Sequence, residues 1–529
     1  MTAYWKTLSH NGVNFPDVYS PRGLFVKVKG RSIALSPLAE EMAYHLAKKK
    51  DTPYIQDQTF TDNFMSDFAR ELPKWSRGAK FSDVDFSELF RVVDQEKAQR
   101  ETMSKDEKRK LAASRKKRRE ALQDRYGRAW LDGKVVNFAN WMVEPPGLFM
   151  GRGQHPRRGR WKPRVRPEDV TLNLGEEDQI PFGQWGAVVN DHDSMWMARW
   201  VDKLTRRNKY VWLHESSPLQ QSRNKEKYDK ANALDSKIEK IRNAIRKRMK
   251  SGSKPNRKVA TVCYLIDHVG IRVGDEKGKD EADTVGASTL RVEHVTVKDN
   301  GVVDFDFLGK DSVRWQKSFK PPDSDSTLSE NLREFMEGKS PSSRIFDKAN
   351  SRKVNQFFGS IVKDLTAKAF RTYHATKVTE ETLRSRNLKD ADDLDKLYHA
   401  REANLKAAIF CNHQRTPPKT WEQSLEKKKQ KLSDVMAVGS NDKKVRKLEM
   451  ELDFFVRTKN YNLNTSLKNY IDPRVYKSWC DSVGLDWARI YSKSMQKKFS
   501  WVARVPYPSS REGGPVGATS SGALTKRMP

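Results

Sequence analysis

The sequence predicts a multidomain α+β protein with short strands in its first half and mostly helices in its second. Three observations predict it. At 529 residues the chain is long enough for two to four domains and a well-buried core. Beyond residue 225, apolar side chains recur at spacings of three and four, as in Leu234, Ile238, Ile241, Ile245 and Met249. Strict alternation is confined to short stretches such as Val303, Phe305 and Phe307, with Asp304 and Asp306 between them.

The first hundred residues mix strand-like runs (Gly23 to Val28) with a helix near 37–48, whose Leu38, Met42, His45 and Leu46 share one face. A charged helical run over 95–126 holds Lys116-Lys117-Arg118-Arg119; it reads as a solvated face, with an import signal or phosphate-binding ridge as the alternative. In the stretch from Glu144 to Arg157, Gly151 and Gly153 flank Arg152, so the backbone there can approach a ligand closely. A loop presenting Arg152 to a phosphate is the preferred reading, and a plain surface loop the other.

One long helix is expected over 225–250, stopped at Ser251-Gly252, and a more apolar one over 257–270 running into Arg272. Lys310 falls at the Gly turn of a hairpin. Helices over 353–372 and 393–412 should carry Arg371 and His413 near their C-terminal ends, and Pro417-Pro418 closes this domain. Two charged helices between Trp421 and Phe455, separated by Gly439-Ser440-Asn441-Asp442, suggest an antiparallel hairpin with little core of its own. Residues 459–503 read as a small helical domain around Tyr470, and the chain beyond Val505 as a disordered tail.

Composition narrows the function. Lys and Arg total 101 against 69 Asp and Glu, a net charge of +32 and a pI near 9.8. Such an excess favours a polyanionic partner. Nucleic acid is preferred over an anionic membrane surface, because 14 Trp and 15 Tyr accompany the charge. No apolar run reaches the roughly 18 residues a span requires, and no apolar segment follows Met1 to Lys6, so neither a membrane protein nor a secreted one is expected. Cys263, Cys411 and Cys480 are too few and too scattered for a disulfide framework or a CxxC zinc site. With no HExxH and no GxxxxGK[ST] loop, neither a built-in metal nor nucleotide hydrolysis is expected.

Five residues then stand out: Arg272, Lys310, Arg371, His413 and Tyr470. Together they offer a metal-free route to breaking and remaking a phosphodiester. A phenol of pKa about 10 becomes a useful nucleophile once flanking cations stabilise its anion. Two guanidiniums and an imidazole can hold the non-bridging oxygens as charge builds there. A lysine can protonate the leaving oxygen.

These residues sit in long ordered motifs: EPPGLF then GRG at 144–153, DTVG and LRVEH at 283–294, FDFLGKDS at 305–312, LTAKAFRTY at 365–373, CNHQR then PPKT at 411–420, and NYIDPR at 469–474. From about Trp5 to Trp501 the chain resembles the eukaryotic-type DNA topoisomerase I family, the type IB enzymes. That resemblance implies a bilobed clamp around duplex DNA. A mixed α/β cap would cover 1–208, a mainly helical catalytic domain of the tyrosine recombinase and type IB topoisomerase fold 209–416, a helical-hairpin linker 417–458, and a small helical domain with the nucleophilic tyrosine 459–502, before a tail at 503–529. It implies that the five residues are catalytic and that Tyr470 forms a 3′-phosphotyrosyl intermediate. DNA contacts are implied at Arg100, Arg152, Trp196, Lys209, Tyr210, Lys227, Arg272, Val273, Gly274, Asp275, Glu276, Lys277, Thr284, Lys310, Asn355, Thr366, Ala367, Lys368, His413 and Lys431.

Clamp lips would meet near Arg157 and Asp280 or Glu281, and Arg152, Asp311 and Asn469 match the family's camptothecin-contacting positions. No cofactor is required on this reading, magnesium acting only as a stimulant. The partner is double-stranded DNA, the protein a monomer, and the address the nucleus, or a viral factory or virion for a viral gene. The chain departs from the pattern in lacking a long charged N-terminal extension, in a short linker, and in Gln154 and His374, where relatives often carry Asn. A site-specific recombinase and a non-catalytic DNA clamp are the competing readings.

Overall fold

A computed structural model describes residues 4–278, 280–322, 326–439, 441–505 and 507. The expected tail over 503–529 lies almost wholly outside the described residues. The chain forms a mixed α/β multidomain protein, with every sheet before residue 320.

The N-terminal half holds two cores. In the first, the strand Phe25–Val28 lies between Arg31–Ala34 and Val84–Asp85. The helices Pro37–Ala47, Gln58–Phe68 and Ser87–Thr102 cover it, burying Val26, Phe60, Phe64, Phe68 and Leu89. In the second, a three-stranded sheet of Leu8–His10, Arg128–Leu131 and Lys134–Asn137 packs with a four-stranded one. That larger sheet runs in the order Ala187–Val189, Val170–Asn173, Trp196–Val201, Asn208–Trp212. The charged run expected over 95–126 is two helices, broken at Met103-Ser104. Ser104 and Glu107 form a capping box: Ser104 Oγ accepts from the Glu107 N–H at 3.1 Å, and Glu107 accepts from the Ser104 N–H at 2.8 Å. The second of these helices, Lys105–Tyr126, buries no residue.

The C-terminal half is helical around one short meander of Val295–Val297, Val303–Leu308 and Arg314–Phe319. Two sequence readings need correction here. The single helix expected over 225–250 is Pro218–Asn232 followed by Ile238–Met249, broken where Ala233 to Lys237 close successive turns. The helix expected over 353–372 is Ser351–Ile361 followed by Ala367–Arg384, broken at Asp364, whose φ is +60°. Arg371 therefore sits in the second turn of its helix, not at a C-terminal end. His413 does follow the helix Asp393–Phe410, by three residues.

The segment carrying Tyr470 has no separate core. Ile471, Val475, Tyr476 and Trp479 bury themselves with Ala375, on the helix bearing Arg371, and with Ala403 and Cys411, on and just after the helix that leads to His413. Shared packing thus fixes the tyrosine against the other candidate groups. The helices Trp421–Ala437 and Asp442–Arg457 form a hairpin in which Trp421 stacks on Phe455, with centroids 5.4 Å apart. Among the described residues no helix is long and apolar enough to cross a membrane.

Burial also builds in acid sensitivity. His10 is buried in the second core; its Nδ1 accepts from the Gly12 N–H at 3.0 Å, and its Nε2–H donates to the Asn173 carbonyl at 3.0 Å. Burial holds its pKa down to about 4, and that of His45 and His268 likewise to about 4. Below about pH 6.5 the unfolded chain takes up these protons while the folded chain does not. Stability is therefore lost as pH falls from about 6.5 toward 4, by roughly 3 kcal/mol for His10 alone. Calorimetric melting at pH 7, 5.5 and 4.5 should show a stepwise drop in Tm; a flat Tm would contradict this account.

Candidate active site

Four of the five candidate side chains meet in one place. Tyr470 ends the helix Leu463–Asn469, its N–H donating to the Ser466 carbonyl at 2.9 Å. The sequence after it locks the ring's position. Ile471 is fully buried, Asp472 caps the helix Pro473–Val483, and Pro473 occupies its first position, where a missing N–H costs nothing. Arg474 pairs with Asp472 at 2.7 Å and with Asp229 at 2.8 Å. Thr376 Oγ1, one turn beyond Arg371, accepts from the Asp472 N–H at 3.1 Å and donates to the Tyr470 carbonyl at 3.4 Å.

Arg272 follows a π-helical turn, Leu265–Val269, and the left-handed Gly270 at φ +81°. Its Nη1 donates to Tyr470 Oη at 3.0 Å. Arg371 is buried; its Nη1 donates to the Gly270 carbonyl at 2.7 Å and its Nη2 to the Cys411 carbonyl at 2.6 Å. Its guanidinium carbon lies 5.3 Å from the centre of the Tyr470 ring. His413 follows the left-handed Asn412, and its ring centroid is 4.9 Å from that of Tyr470. Its carbonyl accepts from the Asn462 N–H at 2.7 Å, tying the histidine to the chain that leads into the tyrosine.

Electrostatics follow from this packing. Burial pushes the Tyr470 phenol up, but the charges of Arg272 and Arg371 outweigh it, and the pKa falls below its ordinary 10. Burial, then the same two cations, lowers His413 to about 3, so the imidazole is neutral at physiological pH. Neither arginine forms an ion pair among the described residues. Arg371 Nε and His413 Nδ1 are buried without a protein partner. Two unsatisfied polar atoms beside two unneutralised cations suit an anionic ligand.

Lys310 stands apart. It lies exposed at the turn between Val303–Leu308 and Arg314–Phe319, and its side chain makes no hydrogen bond among the described residues. It does line the same cavity as Arg272 and Arg371, a space of about 1370 Å³ between the two halves. Of the expected DNA contacts, Arg152, Lys209, Val273, Gly274, Asp275, Lys277, Thr284, Asn355, Thr366, Ala367 and Lys368 line it as well. Outside that lining are Arg100, exposed near the end of its helix, Trp196 and Tyr210 with centroids 6.3 Å apart on their sheet, and Lys431 on the hairpin. Glu276 pairs with Arg344, and Lys227 donates to the Asn469 carbonyl at 3.0 Å.

The halves touch across the cavity. Arg157 pairs with Asp280 at 2.6 Å, Arg207 with Glu281, and Arg152 with Asp311. Arg207 was not singled out from the sequence, although Arg206-Arg207 before a strand was a visible basic signal. Nothing in the sequence marked Thr376.

Comparison with known proteins gives the family. Residues 3–213 match the eukaryotic DNA topoisomerase I DNA binding fragment, 216–446 its catalytic core, and 442–507 a C-terminal topoisomerase domain. The chain is 36% identical over 515 residues to DNA topoisomerase 1 of Candidozyma auris, covering 93% of this chain and 67% of that protein. It is 34% identical over 546 residues to the Homo sapiens protein of that name, covering 94% and 70%. DNA topoisomerase 1 beta of Arabidopsis thaliana is 34% identical over 545 residues, and there the chain spans 59% of the relative's length. The chain belongs to the eukaryotic DNA topoisomerase I family.

Proposed function

We propose that the protein is a type IB DNA topoisomerase that relaxes supercoiled duplex DNA. The observation that carries this reading is the Tyr470 phenol 3.0 Å from the Arg272 guanidinium, with Arg371 and His413 packed beside it. Tyr470 Oη attacks the scissile phosphorus, and its proton passes to solvent. An Oη–P bond forms, the P–O5′ bond breaks, and Lys310 gives a proton to the departing 5′-oxygen. Arg272, Arg371 and neutral His413 hold the non-bridging oxygens, where one lost donor costs about 3 kcal/mol, roughly a hundredfold. The 3′-phosphotyrosyl link keeps the phosphoester's energy, so religation needs no ATP. The free 5′ end turns about the intact strand meanwhile. None of these roles requires a metal ion.

In the same reading, 1–208 form a cap that closes on a catalytic domain at 209–416 of the tyrosine recombinase type. Residues 417–458 are a linker, and 459–502 deliver the nucleophile. Arg157, Asp280 and Glu281 form the lips of a monomeric clamp acting on nuclear DNA. Camptothecin would meet Arg152, Asp311 and Asn469, and unchanged covalent-complex levels with the drug would remove that assignment.

The test is relaxation of supercoiled plasmid in EDTA without ATP; absence of activity would overturn the proposal. Binding should consist mostly of phosphate contacts, and so be weakly sequence-specific and steeply salt-dependent. Affinity for a duplex oligonucleotide, read by fluorescence anisotropy, should fall about 10³–10⁵-fold between about 50 and 200 mM salt. A flat salt response would rule out a phosphate-tracking clamp.

A further inference from the structure

The turn that delivers Arg272 is gripped from two sides. At the end of the π-helical turn two successive carbonyls, Val269 and Gly270, are left for outside donors. Arg371 takes that of Gly270 at 2.7 Å. The Val269 carbonyl accepts from Lys317 Nζ at 3.2 Å, and Lys317 lies on the strand Arg314–Phe319 of the hairpin that carries Lys310. The lysine's ammonium is 5.2 Å from the Phe410 ring, at the end of the helix leading to His413. From that same region Asn412 Nδ2 donates to the Arg314 carbonyl at 3.1 Å. Burial lowers the pKa of Lys317. Taking an ammonium out of water is costly, so its half-buried place beside the Phe410 ring needs a compensating contact. The freed Val269 carbonyl is that contact.

We infer that Lys317 is a positioning residue, which docks the Lys310 hairpin against the Arg272 turn so that the proton donor stands over the phosphate held by the two arginines. The inference deepens the function proposed above and rests on Lys310 as that donor. The Lys310 side chain makes no hydrogen bond among the described residues, so its place is set by how the hairpin docks, through buried Phe305, Phe307 and Trp315 as well as through Lys317. Misplacement of a reacting group by an ångström costs on the order of a hundredfold.

The experiment compares single-turnover cleavage of two duplexes. One carries the ordinary 5′-oxygen at the scissile bond, the other a 5′-sulfur, which departs as a thiolate without needing a proton. Lys317→Met should slow the oxygen substrate on the order of tenfold or more and the sulfur substrate far less, with DNA affinity unchanged. Lys317→Gln, which keeps a donor, should recover part of the loss. Equal slowing on both substrates, or none on either, would overturn the inference, since loosened packing around Arg272 does not discriminate between leaving groups. Lys310→Ala is the reference. If sulfur rescues it but not Lys317→Met, the positioning role is wrong. If sulfur fails to rescue Lys310→Ala, the proton-donor reading falls and takes this inference with it. Should Lys317→Met not be recovered folded, Asn412→Gly breaks the bond to the Arg314 carbonyl on the same strand while suiting the left-handed backbone there, and must show the same asymmetry.

Discussion

Tyr470→Phe is expected to abolish plasmid relaxation and leave duplex binding at wild-type strength. The substitution removes one oxygen and one hydrogen bond, the 3.0 Å contact from Arg272. A phenylalanine ring can keep its place 4.9 Å from the His413 ring, and the backbone bonds through Ser466 and Thr376 do not involve the hydroxyl. The cations that line the cavity are untouched, so phosphate binding is preserved. Detergent quenching should trap a covalent protein–DNA adduct with the wild type and none with the variant. An adduct from Tyr470→Phe would move the nucleophile elsewhere; a large loss of affinity would mean that the phenol is a binding group. The pH profile checks the same oxygen. Because Arg272 and Arg371 favour the phenoxide, cleavage should level off below pH 10. Removing the Arg272 charge should move that inflection to higher pH.

Local pattern carried the sequence reading a good distance. The helix Pro37–Ala47, the alternation at Val303 to Phe307 and the hairpin between Trp421 and Arg457 are elements whose period or turn residues announce them. The five candidate residues were visible only because of the ordered motifs around them; neither charge nor spacing separates Arg371 from the other basic residues. What was missed depends on tertiary context. The break at Asp364 has no glycine or proline to mark it, since an aspartate can adopt the left-handed conformation. The break before Lys105 could have been found, because Ser104 and Glu107 spell a capping box. Thr376 and Lys317 act through carbonyls of residues far away in the chain, at Tyr470 and Val269, and no local signal encodes such a pairing.

Arg371→Lys should separate the charge of the site from its geometry. The native guanidinium reaches two carbonyls at once, those of Gly270 and Cys411, and lies 3.4 Å from His413 Nε2. An ammonium is a single point, and cannot span both carbonyls and a phosphate oxygen together. One buried carbonyl would lose its donor, at about 1–3 kcal/mol of stability. One donor to the developing charge would also be lost, at about 3 kcal/mol of transition-state stabilisation. Cleavage should therefore fall on the order of a hundredfold or more, with a modest drop in melting temperature. The positive charge near the Tyr470 ring remains, so the alkaline inflection should hardly move. Arg371→Ala removes charge and fork together; its rate should fall further, and its inflection should rise toward that of a free phenol. A lysine variant within a few-fold of wild type would mean that charge alone activates the phenol and that the paired donors are dispensable. An inflection shifted equally in both variants would mean that the planar fork, with its contacts to Gly270 and Cys411, sets the phenol's acidity by fixing where the charge sits.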